Sequence, residues 1–244
     1  MQAFLIAMQF LTRIPLPSCP VWRDEYVGKS LNYYPLVGLI IGLGLFLSAW
    51  VSNHNEPLFQ AALVLGAWVL LTGGLHLDGL SDCADAWVGG LGDRERTLKI
   101  MKDPYCGPAG VTSIVLVLLI KFAALSAILA TPETLSLIFI PIIARLLPGL
   151  FVITTPCART QGLGFTLTQH VQHKPLIYVS ILCSCSLLIF APYIAFLILF
   201  AALITFLFIR RAAMQRLKGF TGDVLGATIE IFETTALIFI VLFG

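Results

Sequence analysis

The chain has 244 residues, of which 58% are hydrophobic and 11% charged, and its mean hydropathy is +0.94. Soluble domains carry roughly a quarter charged residues, so the composition excludes an ordinary soluble domain and points to an integral membrane protein. A formal net charge of +2, with Lys and Arg scattered along the chain, also excludes the clustered basic face that a nucleic-acid partner requires.

The opening stretch MQAFLIAMQFLTRIPLP has no basic residue ahead of its apolar part, and Arg13 follows it. That order does not fit a cleavable signal and predicts a short interfacial or re-entrant helix. A membrane crossing takes about twenty mostly apolar residues. Seven runs qualify: Leu31 to Val51, Leu58 to Leu75, Gly110 to Ala130, Leu135 to Thr155, Leu176 to Phe190, Tyr193 to Ile209 and Leu225 to Phe243. The fifth and sixth form one long apolar stretch, divided at Ala191-Pro192 because proline disrupts a helix interior. The fold class expected is therefore all-α: a polytopic helical bundle of about seven transmembrane helices in a single domain, 1–244.

Basic residues set the expected orientation, since Lys and Arg accumulate in cytoplasmic loops. Arg13, Arg23 and Lys29 precede the first run, and Arg94, Arg96, Lys99 and Lys102 lie between the second and third. Arg159 and Lys174 separate the fourth from the fifth, and Arg210, Arg211, Arg216 and Lys218 the sixth from the seventh. The alternate connections, around Asn53, Pro132 and Pro192, contain no Lys or Arg. Thirteen of the fifteen basic residues thus fall on one side, which makes the N-terminus cytoplasmic; only Lys121 and Arg145 fall within spans.

The stretch HLDGLSDCADAW, residues 76–87, is on that cytoplasmic side and holds three aspartates. Gly73-Gly74 closes the second run and Gly89-Gly90 closes the acidic segment, so residues 78–88 are expected to form a surface helix. Spacings of four and three put Asp78, Asp82 and Asp85 on one helix face. A solvated charged face is the plain reading of such a run. Against it, the segment has no interleaved Lys or Arg, adjoins the membrane, and fills its other positions with small or apolar residues. Hard divalent cations such as Mg²⁺ take carboxylate oxygens and complete their shell with water or substrate phosphate, so the pattern reads as a metal-diphosphate site. Calcium shares the oxygen preference, but no EF-hand pattern is present.

Arg94, Arg96, Lys99 and Lys102 follow, ahead of Gly107 and Gly110 at the start of the third run. They suit phosphate contacts at a helix N-terminus, and retention by the positive-inside rule accounts for them equally. A second acidic group, Asp223, Glu230 and Glu233, enters the last run. Ionisable residues inside a span need a partner; for Asp223 the ordinary alternative is a helix cap after Thr221-Gly222. Arg145 is a candidate counter-ion to this group or a phosphate ligand. His76 is a candidate metal ligand or proton relay, set against a hydrogen-bonded interfacial histidine. Among the six cysteines, Cys19, Cys83, Cys106 and Cys157 fall on the cytoplasmic side, with spacings that match no zinc site.

GGLHLDGLSDCADAWVGG followed by RTLKIMKDPYCGPAGV resembles the cobalamin 5'-phosphate synthase family, also described as adenosylcobinamide-GDP ribazoletransferases. QFLTRIPLP, YYPLVGLIIGL, ARLLPGLF, ARTQGLG and GFTGDVLGATIE extend the resemblance over nearly the whole chain. It implies a Mg²⁺-dependent enzyme of the bacterial cytoplasmic membrane that joins adenosylcobinamide-GDP to α-ribazole or its 5'-phosphate and releases GMP. It implies Asp78, Asp82 and Asp85 as metal ligands, with Lys102, Asp103 and Asp223 as companions and Arg159 as a substrate ligand; Asp223 is expected beside the three as a further metal ligand. Asp82, Asp85 and Lys102 are the expected catalytic residues, with Asp85 as base to the attacking hydroxyl, and Arg145, Arg159, Asp103 and His76 the expected binding residues. The lipid bilayer is the surrounding partner, and the resemblance is compatible with a homo-oligomer and with association with other corrinoid-pathway enzymes.

Three other readings share some of these features. CDP-alcohol phosphotransferases also use a DG-initiated aspartate helix with Mg²⁺, but Asp82-Cys83 stands where they carry Ala-Arg. Prenyl-transferring membrane enzymes use two matched aspartate motifs, and this chain has one strong and one partial. A divalent-cation transporter calls for ionisable groups near the midplane, whereas the acidic clusters here are expected at one face, with only Glu56 and Glu133 in the external connections.

Overall fold

The computed structural model describes residues 1–16 and 22–244; Cys19 and the end of the opening QFLTRIPLP stretch lie outside the described residues. Among the described residues the chain is helical throughout, with a single isolated bridge between Cys157 and Phe220. Gln2–Leu11 (α1) is the short amphipathic helix expected at the start. Asp24–Ser30 (α2) continues through a 3-10 turn into Tyr34–Val51 (α3), so the first apolar helix begins seven residues earlier than its hydropathy suggests.

Pro57–Thr72 (α4) ends where Gly73 and Gly74 both take left-handed backbone, φ 64° and 69°. Two such residues in a row turn the chain at low cost only as glycine. The next helix, Leu75–Gly89 (α5), leaves α4 at 86°. It carries the aspartates and lies outside the run of its predecessor, in accord with the expected surface helix.

Arg94–Ile100 (α6) is capped by Asp93, whose Oδ1 accepts the Arg96 N–H at 3.0 Å. Pro108–Ile128 (α7) follows. The fourth apolar run divides into Ser136–Ala144 (α8) and Leu147–Thr154 (α9), interrupted just ahead of Pro148. Leu163–His170 (α10), a short helix without an apolar signature, precedes His173–Phe190 (α11) and Pro192–Leu217 (α12), which separate at Ala191 as the proline requires. Gly222–Phe243 (α13) completes the chain; Thr221 caps it, its Oγ1 accepting the Val224 N–H at 3.3 Å, so Asp223 is not the cap.

Among the described residues six helical runs are long and apolar enough to cross a membrane, and the number is seven where the bent pair of α4 and α5 is counted as one broken span. The remaining six expected crossings correspond to the runs through α3, α7, α8 with α9, α11, α12 and α13. Outward positions such as Leu70, Leu116, Leu182, Ile189 and Phe208 are apolar and exposed, which suits a surface in contact with lipid chains rather than water. At the centre stands α13, packed against α5, α7 and α12. The crossing of α5 and α13 is close because Gly79 lies at it: a Cβ there would sit 2.8 Å from the Asp223 carbonyl oxygen. That approach brings the aspartate helix against the start of α13.

Candidate active site

Where α5 crosses α13 a cavity of about 260 Å³ opens, bordered by His76, Asp78, Arg159 and Asp223. Arg159 reaches it from a different part of the chain. Residues 156–158 pair with Phe220: the Ala158 N–H donates to the Phe220 carbonyl at 2.8 Å, and the Phe220 N–H to the Pro156 carbonyl at 2.9 Å. This two-bond bridge ties the loop after α9 to the turn before α13. It sets Arg159 Nη2 3.1 Å from Asp223 Oδ2, a half-exposed ion pair at the cavity edge. Asp223 Oδ2 also accepts the Thr221 hydroxyl at 3.2 Å.

Asp82 lies one turn beyond Asp78 on α5. Partial burial pushes its carboxyl up to about 6, with the charges of Asp78, Asp223 and Asp85 adding to the shift and Arg159 opposing it. Like charges held together raise one another's proton affinity, so four carboxylates sharing the field of one guanidinium leave an excess of negative charge at this end of the molecule. Asp85 points the other way, toward the start of α7. Its Oδ2 accepts the Gly107 N–H at 2.6 Å and its Oδ1 the Gly110 N–H at 2.9 Å. Both oxygens thereby satisfy backbone donors that the first turn of a helix leaves unpaired, and Ser81 Oγ, 2.9 Å from Cys106 Sγ, adds a second tie between the same elements.

Lys102 and Asp103 are exposed on the loop between α6 and α7 and do not border the cavity. Asp103 Oδ1 accepts the Tyr105 N–H at 3.1 Å in a local turn. Of the other cations, Arg94 donates to the carbonyls of Leu217 and Ala158, Arg210 to Thr154 and Thr155, and Arg216 to the Trp87 carbonyl. These three fasten loops and helix ends, and Arg96, Lys99 and Lys102 are left on the surface.

Arg145 is absent from the cavity. It is 1% exposed and pairs with Glu233, while Lys121 Nζ lies 2.6 Å from Glu230 and 2.7 Å from Glu233 and stands over the Trp68 ring at 4.7 Å. Of its two expected roles, the structure shows the counter-ion. Glu230 is seven residues beyond Asp223, about 10 Å along a helix axis, so the second acidic group is split: Asp223 belongs to the cavity and the two glutamates to an internal ion cluster. The expectation that all acidic groups lie at one face is corrected accordingly. Two cations and two anions close this cluster within the bundle, as charges inside a span require.

The structure thus brings His76, Asp78, Asp82, Arg159 and Asp223 to one place, holds Asp85 behind them against α7, and leaves Lys102, Asp103 and Arg145 apart. Within residues 156–165 sequence reasoning reached Arg159 alone, and it did not reach the wall of the cavity that its neighbours and α10 supply. Their only signal was a polar, glycine-containing break, TPCARTQGLG, between apolar runs.

Among the described residues no three His, Cys, Asp or Glu side chains converge into a complete metal centre. Mg²⁺ is held through one or two carboxylates, with water and substrate phosphate oxygens as its remaining ligands. Asp78 and Asp82, hard oxygen donors in an excess of negative charge, fit that requirement.

The family described as cobalamin-5-phosphate synthase matches residues 3–241 of the chain. Curated relatives include proteins named adenosylcobinamide-GDP ribazoletransferase. That of Acinetobacter baumannii (strain ACICU) is 44% identical over 234 residues, covering 96% of this chain and 94% of that protein. That of Ectopseudomonas mendocina (strain ymp) is 46% identical over 235 residues, covering 96% of each. A third, from Pseudomonas aeruginosa, is 44% identical over 238 residues, covering 98% and 97%. No solved structure shows a significant match to the chain.

Proposed function

The chain belongs to the cobalamin-5-phosphate synthase family, and on that premise we propose that it transfers the adenosylcobinamide phosphate group of adenosylcobinamide-GDP to α-ribazole or its 5'-phosphate. GMP leaves, and adenosylcobalamin or its phosphate forms. The enzyme is then a membrane-embedded transferase of cobalamin synthesis, with its site on the cytoplasmic side of the bacterial inner membrane, where the basic loops gather. The observation that carries the reading is the meeting of Asp78 with the Arg159–Asp223 pair around one cavity, with Asp82 one turn along α5 in the same acidic field.

A hydroxyl of the acceptor attacks the phosphorus on the cobinamide side of the diphosphate, the bond from that phosphorus to the GMP oxygen breaks, and the hydroxyl proton passes to solvent. Phosphoryl transfer of this kind asks the protein mainly for positioning and charge compensation. Arg159 sits where it can hold a phosphate oxygen, and Asp223 aligns its guanidinium. Asp78 and Asp82 would hold Mg²⁺, whose charge, when bound, stabilises the oxygen of the departing GMP. Asp85 enters as an anchor: both of its oxygens already accept backbone amides, and its hold on Gly107 and Gly110 fixes the segment that follows Lys102 and Asp103. The exposed Lys102 is available to a phosphate arriving from solution.

The test is a detergent-purified protein supplied with adenosylcobinamide-GDP, α-ribazole 5'-phosphate and Mg²⁺, with GMP and the corrinoid product both measured. Turnover by wild type, its loss on chelation, and its return with Mg²⁺ are the expected results. A folded wild type that releases no GMP from this donor but accepts a lipid diphosphate would contradict the reading.

A further inference from the structure

The walls of the cavity differ in character. Asp78, Arg159, Asp223, Gln161 and Thr221 supply its polar groups, while Phe10, Leu11, Tyr34, Leu167, Leu225 and Ile229 form an apolar part. In this lining stands His76, 3% exposed, with neither Nδ1 nor Nε2 hydrogen-bonded to any of the described residues. Buried polar atoms are paired in the great majority of cases, and an orphaned one costs free energy that a bound molecule can restore. The imidazole is therefore an unpartnered hydrogen-bonding group in the lining of the cavity that Asp78, Arg159 and Asp223 also border, and the charges nearest in effect to it are those of Arg145, Glu233 and Lys121 in the buried cluster.

We infer that this recess is the subsite for the aromatic base of the acceptor nucleoside, and that His76 donates a hydrogen bond to the unsubstituted ring nitrogen of that base. The inference rests on the proposed transfer reaction and assigns one of its two substrates to a place. Size supports it: about 260 Å³ accommodates a molecule on the scale of a nucleoside, and a corrinoid is far larger. Polarity separates the two nucleosides of the reaction. The benzimidazole of α-ribazole is flat and apolar, with a single ring nitrogen free to accept, so one donor in an apolar recess satisfies it. Guanine would bring an amide edge with several donors and an acceptor, more than the single donor at the His76 end of the cavity can pair, and a site discriminates strongly against groups it strands. With the base against His76, the ribose faces Asp78, Arg159 and Asp223, where the attacking hydroxyl is needed.

The test compares equilibrium binding of α-ribazole and of an analogue in which that ring nitrogen is replaced by CH, using wild type, His76→Phe and His76→Asn in detergent. Wild type should bind the analogue at least about tenfold more weakly, the scale of one buried hydrogen bond. His76→Phe should lose a similar factor for α-ribazole and no longer discriminate, and His76→Asn, which keeps a donor, should recover part of the loss. In turnover, His76→Phe should raise KM for the acceptor and leave KM for adenosylcobinamide-GDP unchanged. Because the analogue arm uses wild type alone, it decides the matter even if a variant fails to fold. Equal binding of the two ligands by wild type overturns the assignment, and so does competitive displacement of α-ribazole by GMP, which would give the recess to guanine. Both outcomes leave the transfer reaction standing; failure of that reaction shows separately, as a folded wild type that releases no GMP.

Discussion

Lys121, Arg145, Glu230 and Glu233 lie inside the helix bundle, and Asp78, Asp82, Asp85 and Asp223 lie where α5 crosses α13. The first group contains two cations and two anions in mutual contact, all of them buried. The second contains four carboxylates, of which Asp85 is held by the Gly107 and Gly110 amides and the other three share one guanidinium beside a cavity. Both groups include residues of α13, yet they meet their charge in different ways. Inside the bundle the partners are supplied by other helices, and the cluster joins α7, α8 and α13 with Trp68 of α4. At the crossing the partners are incomplete, and the remaining charge calls for a ligand. The difference teaches that an ionisable residue inside a span marks structure when its compensation is internal, and marks function when it is not.

The comparison is broken most directly by removing compensation where it is complete. Glu233→Ala strands Arg145 and leaves Lys121 with Glu230 as its one carboxylate partner, and loss of one partner of a buried ion pair costs about 3–5 kcal/mol. Thermal unfolding in detergent should show this as the most severe destabilisation of the series, and a variant as stable as wild type would erase the distinction between the two regions. At the crossing the expectation is the reverse. Asp82→Asn should lower turnover at least a hundredfold, about 2.7 kcal/mol of transition-state stabilisation, while the unfolding temperature holds or rises because a repulsive charge is gone.

Asp85 falls between these cases. Asp85→Ala should cost about 1–3 kcal/mol by leaving the Gly107 and Gly110 amides unpaired, and hydrogen exchange at those two amides should speed up. Unchanged exchange would return Asp85 to the role of base. The smallest effect is the pH dependence without metal. The Asp82 carboxyl, pushed up to about 6 by burial and its acidic neighbours from the usual 3.8, binds its proton more tightly in the folded chain than in the unfolded one. Stability therefore increases as pH falls through about 6 toward 4, and is lost as the group ionises above that range. Asp82→Asn should flatten this part of the profile, and an identical profile in the variant would remove Asp82 as its source.

Much of the fold was legible because apolar run length and proline position are strong local signals. Pro192 divided α11 from α12, and the Gly73-Gly74 pair turned α5 away from α4. The start of α2 was not legible, because Asp24, Glu25 and Lys29 keep that helix outside any hydropathy window. Helix α10 was missed for the same reason: LGFTLTQH has no clear period, and its place is set by packing against α2 and α9. Within the site, the spacing of Asp78, Asp82 and Asp85 gave a shared helix face but not which neighbour each carboxylate meets. Asp85 meets the amides of α7, and Asp223 meets Arg159 only through the pairing of residues 156–158 with Phe220. Such long-range contacts have no local signature. The pairing of Lys121 and Arg145 with Glu230 and Glu233 had one: two lone cations in separate apolar runs and two anions in a third, with nowhere to go but toward one another.

The most direct test of the central claim, that the carboxylates at the crossing are uncompensated until a divalent cation binds, is a Mg²⁺ titration of thermal unfolding. A ligand that binds only the folded state raises stability in proportion to the logarithm of its excess over Kd. Wild type should show a saturable rise in unfolding temperature, lost in Asp78→Asn with Asp82→Asn and retained in Glu230→Gln. An absent rise in wild type, or an equal rise in the double variant, would contradict the account.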